Sequence, residues 1–395
     1  MTRQELTETS GPELWQAART VEDIARFTLT DLMLDRREAT QQIGALLLGV
    51  ALTEPLEHWV LRGRPLPTLS RPGSVDEEEI RRIETTTKAL RHWDRRFRMG
   101  IRRKAVVGQM NEVAQLLREH QAPDIARRLF EVLAELAKIA ASMSYDAGLH
   151  PLAQRYYRLS LRAAHASGES GRLFGANILA AMARQMLDLG RPEDALDLIR
   201  LALDGVRTDA PGRVLSMLRT REGWAYAKTG RVQAFHRAVG QAEETFHEPV
   251  TTRLPYWITP FDASELAGVI GGRYRDLALA QAREGRPYTD LAQRSATYIT
   301  SALELRAPRR LRNRAFDLIG LGRAHLLLNE REEAVHVIRQ AVTIEDAINS
   351  GRVERRLHDF HRESARYKDS TEIADLRGEL AERFRTRAAT LKETA

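Results

Sequence analysis

The sequence predicts an all-α protein, a tetratricopeptide-like α–α superhelix in which helical hairpins stack into a solenoid. Apolar residues recur every three or four positions through most of the chain, which is the period of a half-buried helix. Similar helix–turn–helix units follow one another at comparable spacing. No stretch rich in Val, Ile or Thr alternates long enough to indicate a β-strand.

Composition and charge patterning divide the chain into four expected regions. Proline-rich residues 61–75, "LRGRPLPTLSRPGSV", indicate a linker after the first helices. The regions are an N-terminal helical segment (1–60), this linker (61–75), tetratricopeptide-like helical repeats (76–350) and C-terminal capping helices (351–395). The last helix carries an apolar stripe that predicts either closure of the array or a homodimer contact, formed by Ile373, Leu376, Leu380 and Phe384.

The first hairpin of the array spans residues 76–117 and turns at Gly100. Its second helix presents one apolar face, formed by Val106, Met110, Val113 and Leu117. Five more hairpins are expected to turn at the pivot residues Gly148, Gly190, Gly230, Gly285 and Asn329. Gly and Asn are the residues that end a helix in the left-handed conformation, so a shared backbone turn is predicted at each pivot.

Small residues mark the places where the two helices of a hairpin are expected to cross closely. Ala183 faces Ala195 and Ala202 in one hairpin, and Gly322 faces Ala334 and Ala341 in another. This placement is typical of tetratricopeptide repeats. A single hairpin would leave an apolar face in water, and stacking buries that face, so the repeats are expected as an array.

Composition excludes several classes of protein. The chain has no cysteine, which excludes disulfides, thiolate metal sites and cysteine nucleophiles. The start is polar, unlike a signal peptide, and the longest apolar run, residues 43–52, is far shorter than the roughly 20 residues of a membrane span. A cytoplasmic protein without membrane association is expected. The net charge of +7 comes from 61 cations against 54 anions, a balance that favours nucleic acid only weakly.

Several long stretches resemble one family of proteins. They are "RRFRMGIRRKAVVGQMNEVAQLL", "MSYDAGLHPLAQRYYRLSLRAA", "FGANILAAMARQMLDLGRPEDALDLIRLA", "TREGWAYAKTGR" and "YWITPFDASELAG". They resemble actinobacterial helix-turn-helix transcriptional regulators with a C-terminal tetratricopeptide-like repeat region. The resemblance implies a regulator whose repeats sense a peptide, a small molecule or a protein.

The resemblance does not extend to the DNA-binding domain of this family. In those regulators a helix-turn-helix precedes the joint that "FTLTDLMLDRREAT" (27–40) resembles. Here the joint lies close to Met1, and the preceding residues show no helix-turn-helix pattern. We therefore expect this chain to correspond to the repeat region, with DNA binding doubtful.

The candidate binding residues lie on the first helix of each hairpin, which lines the concave surface of such arrays. Positions that do not pack against the second helix are expected to form a groove: Lys138, Ser142, Tyr145, Asn177, Arg184, Arg221, Trp224, Lys228 and Arg323. An Asn amide can hold a peptide backbone, and an Arg can hold a carboxylate in a fork. Trp224 and Tyr145 fit equally well as groove walls or as core residues between repeats.

Two arginine-rich turns are weaker candidates for binding nucleic acid or another acidic partner. One is formed by Arg95, Arg96, Arg98, Arg102, Arg103 and Lys104, and the other, residues 306–314, includes Arg309 and Arg310. Both patterns are explained at least as well by solvent-exposed turns whose arginines pair with neighbouring carboxylates, without any bound partner.

Patterns that would indicate an enzyme or a cofactor are incomplete. Glu354, His358 and His361 share a helical face without a second cluster of ligands, so no metal is expected. The glycine runs "GVIGGR" (268–273) and "GLGRAH" (320–325) fall inside helical patterns and do not form nucleotide loops. The sequence therefore predicts a non-enzymatic sensing protein without cofactors. The alternatives are a stand-alone interaction scaffold and a nucleic-acid-binding protein that uses its arginine-rich loops.

Overall fold

A computed structural model describes residues 12–33, 45–61, 75–96, 101–206, 210–249, 254–348 and 350–393. All regular structure in these residues is helical, and no strand occurs among them. The helices pack in adjacent pairs, as an all-α repeat fold requires. The chain divides into two compact units, residues 1–210 and 211–395.

Unit 1 contains eight α-helices among its described residues. They are α1 (Ala17–Met33), α2 (Val50–Thr53), α3 (Glu77–Arg96), α4 (Ile101–Leu116), α5 (Pro123–Asp146), α6 (His150–Ala166), α7 (Glu169–Asp188) and α8 (Pro192–Gly205). Short 3₁₀ helices span Pro12–Trp15 and Glu54–Val60. The predicted turn at Gly100 and residues 62–74 of the predicted linker lie outside the described residues.

Unit 2 also contains eight α-helices in its described part. They are α9 (Gly212–Lys228), α10 (Val232–His247), α11 (Ala263–Arg283), α12 (Thr289–Leu305), α13 (Leu311–Leu327), α14 (Arg331–Ile348), α15 (Gly351–Glu363) and α16 (Thr371–Glu393). One 3₁₀ turn, Ser364–Tyr367, joins the last two. The first helices of successive pairs, α9, α11, α13 and α15, contact one another in that order.

The five predicted pivots are confirmed. Each has a positive φ, between 62° at Asn329 and 77° at Gly148. The same hydrogen bond closes every turn: the N–H of the residue after the pivot donates to the carbonyl five residues earlier, as from Arg191 to Met186 O (2.8 Å) and from Glu330 to His325 O (2.9 Å). This is the Schellman arrangement that ends a helix through a left-handed residue.

Close crossing within the pairs is also confirmed where small residues predicted it. Ala183, Ala195 and Ala202 are fully buried between α7 and α8. A Cβ atom at Gly322 would lie 2.8 Å from Ile338 Cγ1, so glycine allows α13 and α14 to approach this closely. At the end of the chain, Ile373, Leu376 and Leu380 of α16 are buried in the core of unit 2.

Residues 45–61 lie along the second helices of unit 1 in the manner of a bound peptide. The side-chain amide of Gln154 accepts from Leu47 N (2.8 Å) and donates to Leu47 O (2.9 Å). Gly49 N donates to Asp194 Oδ1 (2.9 Å). Trp59 is 2% exposed and rests against Gly175 of α7 and Gly205 of α8, where any Cβ would overlap its ring. This segment is therefore part of the core of unit 1.

Candidate functional site

The first helices of unit 2 bring a set of charged and aromatic side chains onto one face, which we call the first-helix face. On α9, Arg221, Trp224 and Lys228 follow one another at helical spacing, as predicted. Trp224 is buried, and the guanidinium of Arg273 from α11 covers its ring, with Cζ 3.7 Å from the ring centroid. Arg273 thus stacks on the Trp224 ring, so this face of the ring is covered and does not contact solvent or a ligand directly.

One carboxylate serves two arginines at the centre of this face. Arg273 donates to Asp276 Oδ2 (2.9 Å), and Arg275 donates to Asp276 Oδ1 (2.6 Å). Arg273 and Arg275 are only 8% and 5% exposed. Burial is the main cause that lowers the pKa of Arg273 to about 9; the neighbouring charges of Arg275 and Arg221 act in the same direction, and Asp276 opposes them. The single negative charge of Asp276 therefore neutralises the two guanidinium groups only in part.

A second buried ion pair lies between α11, α12 and α13. Arg306 donates to Asp317 Oδ2 (2.5 Å), to Glu265 Oε2 (3.0 Å) and to the Ser264 carbonyl (3.0 Å). A Cβ at Gly268 would lie 2.7 Å from Asp317 Oδ1, so the glycine makes room for this pair. Burial raises the pKa of Asp317 to about 6, although Arg306 acts in the opposite direction.

Two further contacts complete the face. Arg323 of α13 binds Glu363 of α15 in a two-pronged pair, with Nε 2.6 Å from Oε2. Arg356 of α15 stacks on Phe316, with Cζ 4.6 Å from the ring centroid. The predicted residue Arg323 thus lies on the same face as Trp224, but its guanidinium is already paired.

Several of these side chains line a pocket of about 90 Å³, which we call the arginine pocket. Its charged lining is formed by Arg273, Arg275, Arg306, Arg356, Glu265 and Asp317. A smaller cleft of about 20 Å³ lies beside it and shares Arg275, with Arg323 and Glu363 among its other lining residues. Arginine is therefore the most frequent charged residue lining the pocket and the cleft on this face.

The candidate residues of unit 1 form a separate and smaller group. The Tyr145 hydroxyl donates to Asp188, and Arg184 lies over the Tyr145 ring with Cζ 5.8 Å from the centroid. Lys138 lies 5.8 Å from the ring centroid of Phe174. Ser142 and Asn177 are partly exposed on α5 and α7. Burial raises the pKa of Tyr145 above its ordinary value, so the hydroxyl stays protonated.

The two arginine-rich turns are placed very differently. Arg103 is 8% exposed and pairs with Asp31, so its guanidinium belongs to the interior of unit 1. Arg310 pairs with Asp262 at 2.8 Å. Lys104 and Arg309 are exposed. The side chains of Arg95, Arg96, Arg98 and Arg102 lie outside the described residues.

The described residues do not provide a metal site or a membrane span. The described residues contain no cluster of three His, Asp or Glu side chains that could hold a metal ion. None of the helices in the described part of the chain has the length and apolarity needed to span a bilayer. His358 stacks on Phe384, with ring centroids 3.5 Å apart, and so contributes to packing.

Comparison with known proteins adds no family assignment. No protein-family model matches the chain, and no curated protein matches it significantly. The site is therefore interpreted from its geometry.

Five charged members of the site were missed from the sequence: Arg273, Arg275, Asp276, Asp317 and Arg356. A signal for one of them was present. Arg221 lies nine residues before the pivot Gly230, and Asp276 lies nine residues before the pivot Gly285. Aligning this hairpin on its pivot would have placed Asp276 on the first-helix face. The glycine run at 268–273 gave a second signal, because it marks the helix that borders the pocket.

Proposed function

We propose that this chain is the sensing region of a transcriptional regulator of the kind its sequence resembles, built as a tetratricopeptide-like superhelix. In this proposal it acts in the cytoplasm and binds a peptide, a small molecule or a regulatory protein in the groove formed by its first helices. The observation that carries the proposal is the arginine pocket of unit 2, beside the Trp224–Arg273 stack.

The chemistry of this face favours recognition. Guanidinium groups provide several N–H donors in a fixed fork, and an aromatic ring below one of them limits its movement. A buried and pre-ordered donor set loses little side-chain entropy when a ligand binds. A bound ligand would stabilise the arrangement of helices that it contacts best, and this shift in population would be the signal.

The proposal is tested by identifying what the protein carries. The full chain is purified from its host, compounds are released by denaturation, and each is identified by mass spectrometry and then titrated by calorimetry. We expect a compound that binds with one-to-one stoichiometry. Its affinity should fall at least tenfold in Lys228→Glu, which reverses an exposed charge on the first-helix face, or in the double variant Asn177→Ala/Arg184→Ala of unit 1.

Lys104→Glu is the matched control, because Lys104 is an exposed cation on α4, the second helix of its hairpin. It should bind the compound as the wild type does. Failure to recover any stoichiometric compound contradicts the proposal. Equal affinity in the wild type, in Lys228→Glu and in the double variant contradicts it as well.

A further inference from the structure

The arginine pocket contains more positive than negative charge in a buried place. Four guanidiniums line it against the carboxylates of Glu265 and Asp317. Positive charge still exceeds negative charge when Asp276, which lies against two of the arginines, is included. Arg306 already donates to three acceptors, whereas Arg273 and Arg275 share the single carboxylate of Asp276. A buried surplus of this sign favours a negatively charged occupant.

Two of these arginines also keep unused donors. The Nε atoms of Arg273 and Arg275 are buried and have no hydrogen-bond partner among the described residues. Buried N–H groups are almost always paired in folded proteins. Both side chains are at least nine-tenths buried and line the same pocket, so an occupant of the pocket could accept from these donors.

The pocket has room for a group larger than a water molecule. A water needs roughly 10–15 Å³ on the same measure, against about 90 Å³ here. Gly272 borders this space: it is buried, yet a Cβ at this position would meet no heavy atom within 4 Å. Gly is, after Pro, the least favourable residue inside a helix, and a larger side chain would project into the pocket.

We propose that the arginine pocket binds an oxyanion, either a carboxylate or a phosphate group, through Arg273, Arg275 and Arg356. The proposal rests on the proposed function only in taking this oxyanion to be part of the sensed ligand. Two guanidiniums held in fixed orientation suit the paired oxygens of such a group. Trp224 lies beneath one of them and reports on its occupancy.

The test titrates the full chain at pH 7 with sodium phosphate in one arm and sodium acetate in the other, with chloride keeping ionic strength constant. Binding is followed by tryptophan fluorescence and calorimetry. We expect saturable binding in at least one arm, and the tighter arm identifies the class of oxyanion. Trp224→Phe should lose the fluorescence change, which assigns that signal to Trp224.

Two variants challenge the pocket in different ways. Gly272→Leu fills it and keeps every charge, whereas Arg275→Lys keeps the charge and loses the fork. Circular dichroism first establishes that both are folded. Binding should weaken at least tenfold in Gly272→Leu and measurably in Arg275→Lys. Arg309→Gln, which removes an exposed arginine outside the pocket, should bind as the wild type does.

The inference is wrong if neither phosphate nor acetate binds the wild type saturably. It is also wrong if folded Gly272→Leu binds the anion as tightly as the wild type does. The inference and the proposed function fail separately. A host compound that binds Gly272→Leu as tightly as the wild type, and that phosphate and acetate do not displace, leaves the proposed function standing and refutes the oxyanion site. If an anion binds but no host compound is recovered, the oxyanion site stands and the proposed function is refuted.

Discussion

At the scale of single residues, the balance of charge around Asp276 has the largest consequence. Burying an ion removes its hydration, which costs several kcal/mol, and the cost is recovered only by close pairing. One carboxylate cannot neutralise both Arg273 and Arg275. Burial is the main cause that lowers the pKa of Arg273 to about 9, and the neighbouring charge of Arg275 acts in the same direction, whereas a guanidinium ordinarily stays charged above pH 12. An anion bound in the arginine pocket, as proposed above, would oppose this effect by bringing negative charge close to Arg273.

Asp317 predicts a pH dependence of stability. Its pKa is about 6 in the folded chain and 3.8 without the fold, so the folded state holds its proton more tightly. Its stabilising contribution is complete below pH 3.8 and is lost as the pH rises through 6. Relative to the wild type, Asp317→Asn should gain up to about 3 kcal/mol of unfolding free energy between pH 4 and pH 7. Urea denaturation at both pH values measures this.

Asp369→Asn provides the control for this titration. Asp369 is 69% exposed and makes only a 3.4 Å contact with Arg331. Its substitution should leave the pH dependence of the wild type unchanged. If Asp317→Asn also follows the wild-type profile, burial does not raise the pKa of this carboxyl.

Part of the candidate site could be predicted because side-chain position follows from helical period. Arg184, Trp224 and Arg323 each lie six residues before the pivot of their hairpin, and each lies on a first helix. Their partners could not be predicted in the same way. The stacking of Arg273 on Trp224 and the pairing of Arg323 with Glu363 join residues far apart in sequence, and only helix packing decides which of them meet.

At the scale of elements, the turn within each hairpin is the most regular feature. Four turns use Gly at the left-handed position, and the fifth uses Asn329. A β-branched side chain at this φ is strained, whereas Gly relieves the strain.

Substitution at Asn329 tests this requirement. Asn329→Val should lower the free energy of unfolding by roughly 1–2 kcal/mol, and Asn329→Gly should leave it unchanged or slightly higher. Thermal and urea denaturation of each variant measure the effect.

Gly240 provides the contrast, because it lies inside α10 with an ordinary backbone and no heavy atom within 4 Å of a Cβ. Gly240→Ala should therefore stabilise by up to roughly 1 kcal/mol. Equal stability of Asn329→Val and the wild type would show that the left-handed turn is not required.

The segment 45–61 is a second element with a testable role. Removal of the Trp59 side chain leaves a cavity between Gly175 and Gly205, and such truncations cost about 3–5 kcal/mol. We expect Trp59→Ala to increase hydrogen exchange throughout residues 45–61 and to lower the stability of unit 1. Val50→Ala, at a side chain that is 73% exposed, should change neither. Unchanged exchange in Trp59→Ala would mean that the segment is held by its backbone contacts to Gln154 and Asp194 alone.

At the scale of the whole molecule, the division into two units makes a prediction about folding. A continuous apolar cluster of unit 2 extends from α12 through α16, and its members all lie within that unit. A fragment of residues 211–395 should therefore be helical by circular dichroism and should unfold cooperatively on heating.

A shorter fragment, residues 232–395, lacks α9 and is the control. It exposes Phe235 and other apolar residues of α10 that are buried in the full chain. It should unfold at a lower temperature or aggregate. A disordered 211–395 fragment would show that unit 2 cannot fold by itself.

The sequence by itself determined the helices, their pairing and the five pivots, because each depends on neighbours along the chain: a 3.6-residue period, a left-handed cap and small residues at a crossing. It also placed Arg221, Trp224, Lys228 and Arg323 on one face. Only the tertiary structure decided which cations are paired and which share a carboxylate. The pocket exists because α11, α13 and α15 pack with Gly268, Gly272 and Gly320 at its edge. Burial and charge pairing join residues that are distant in sequence, and no local pattern encodes them.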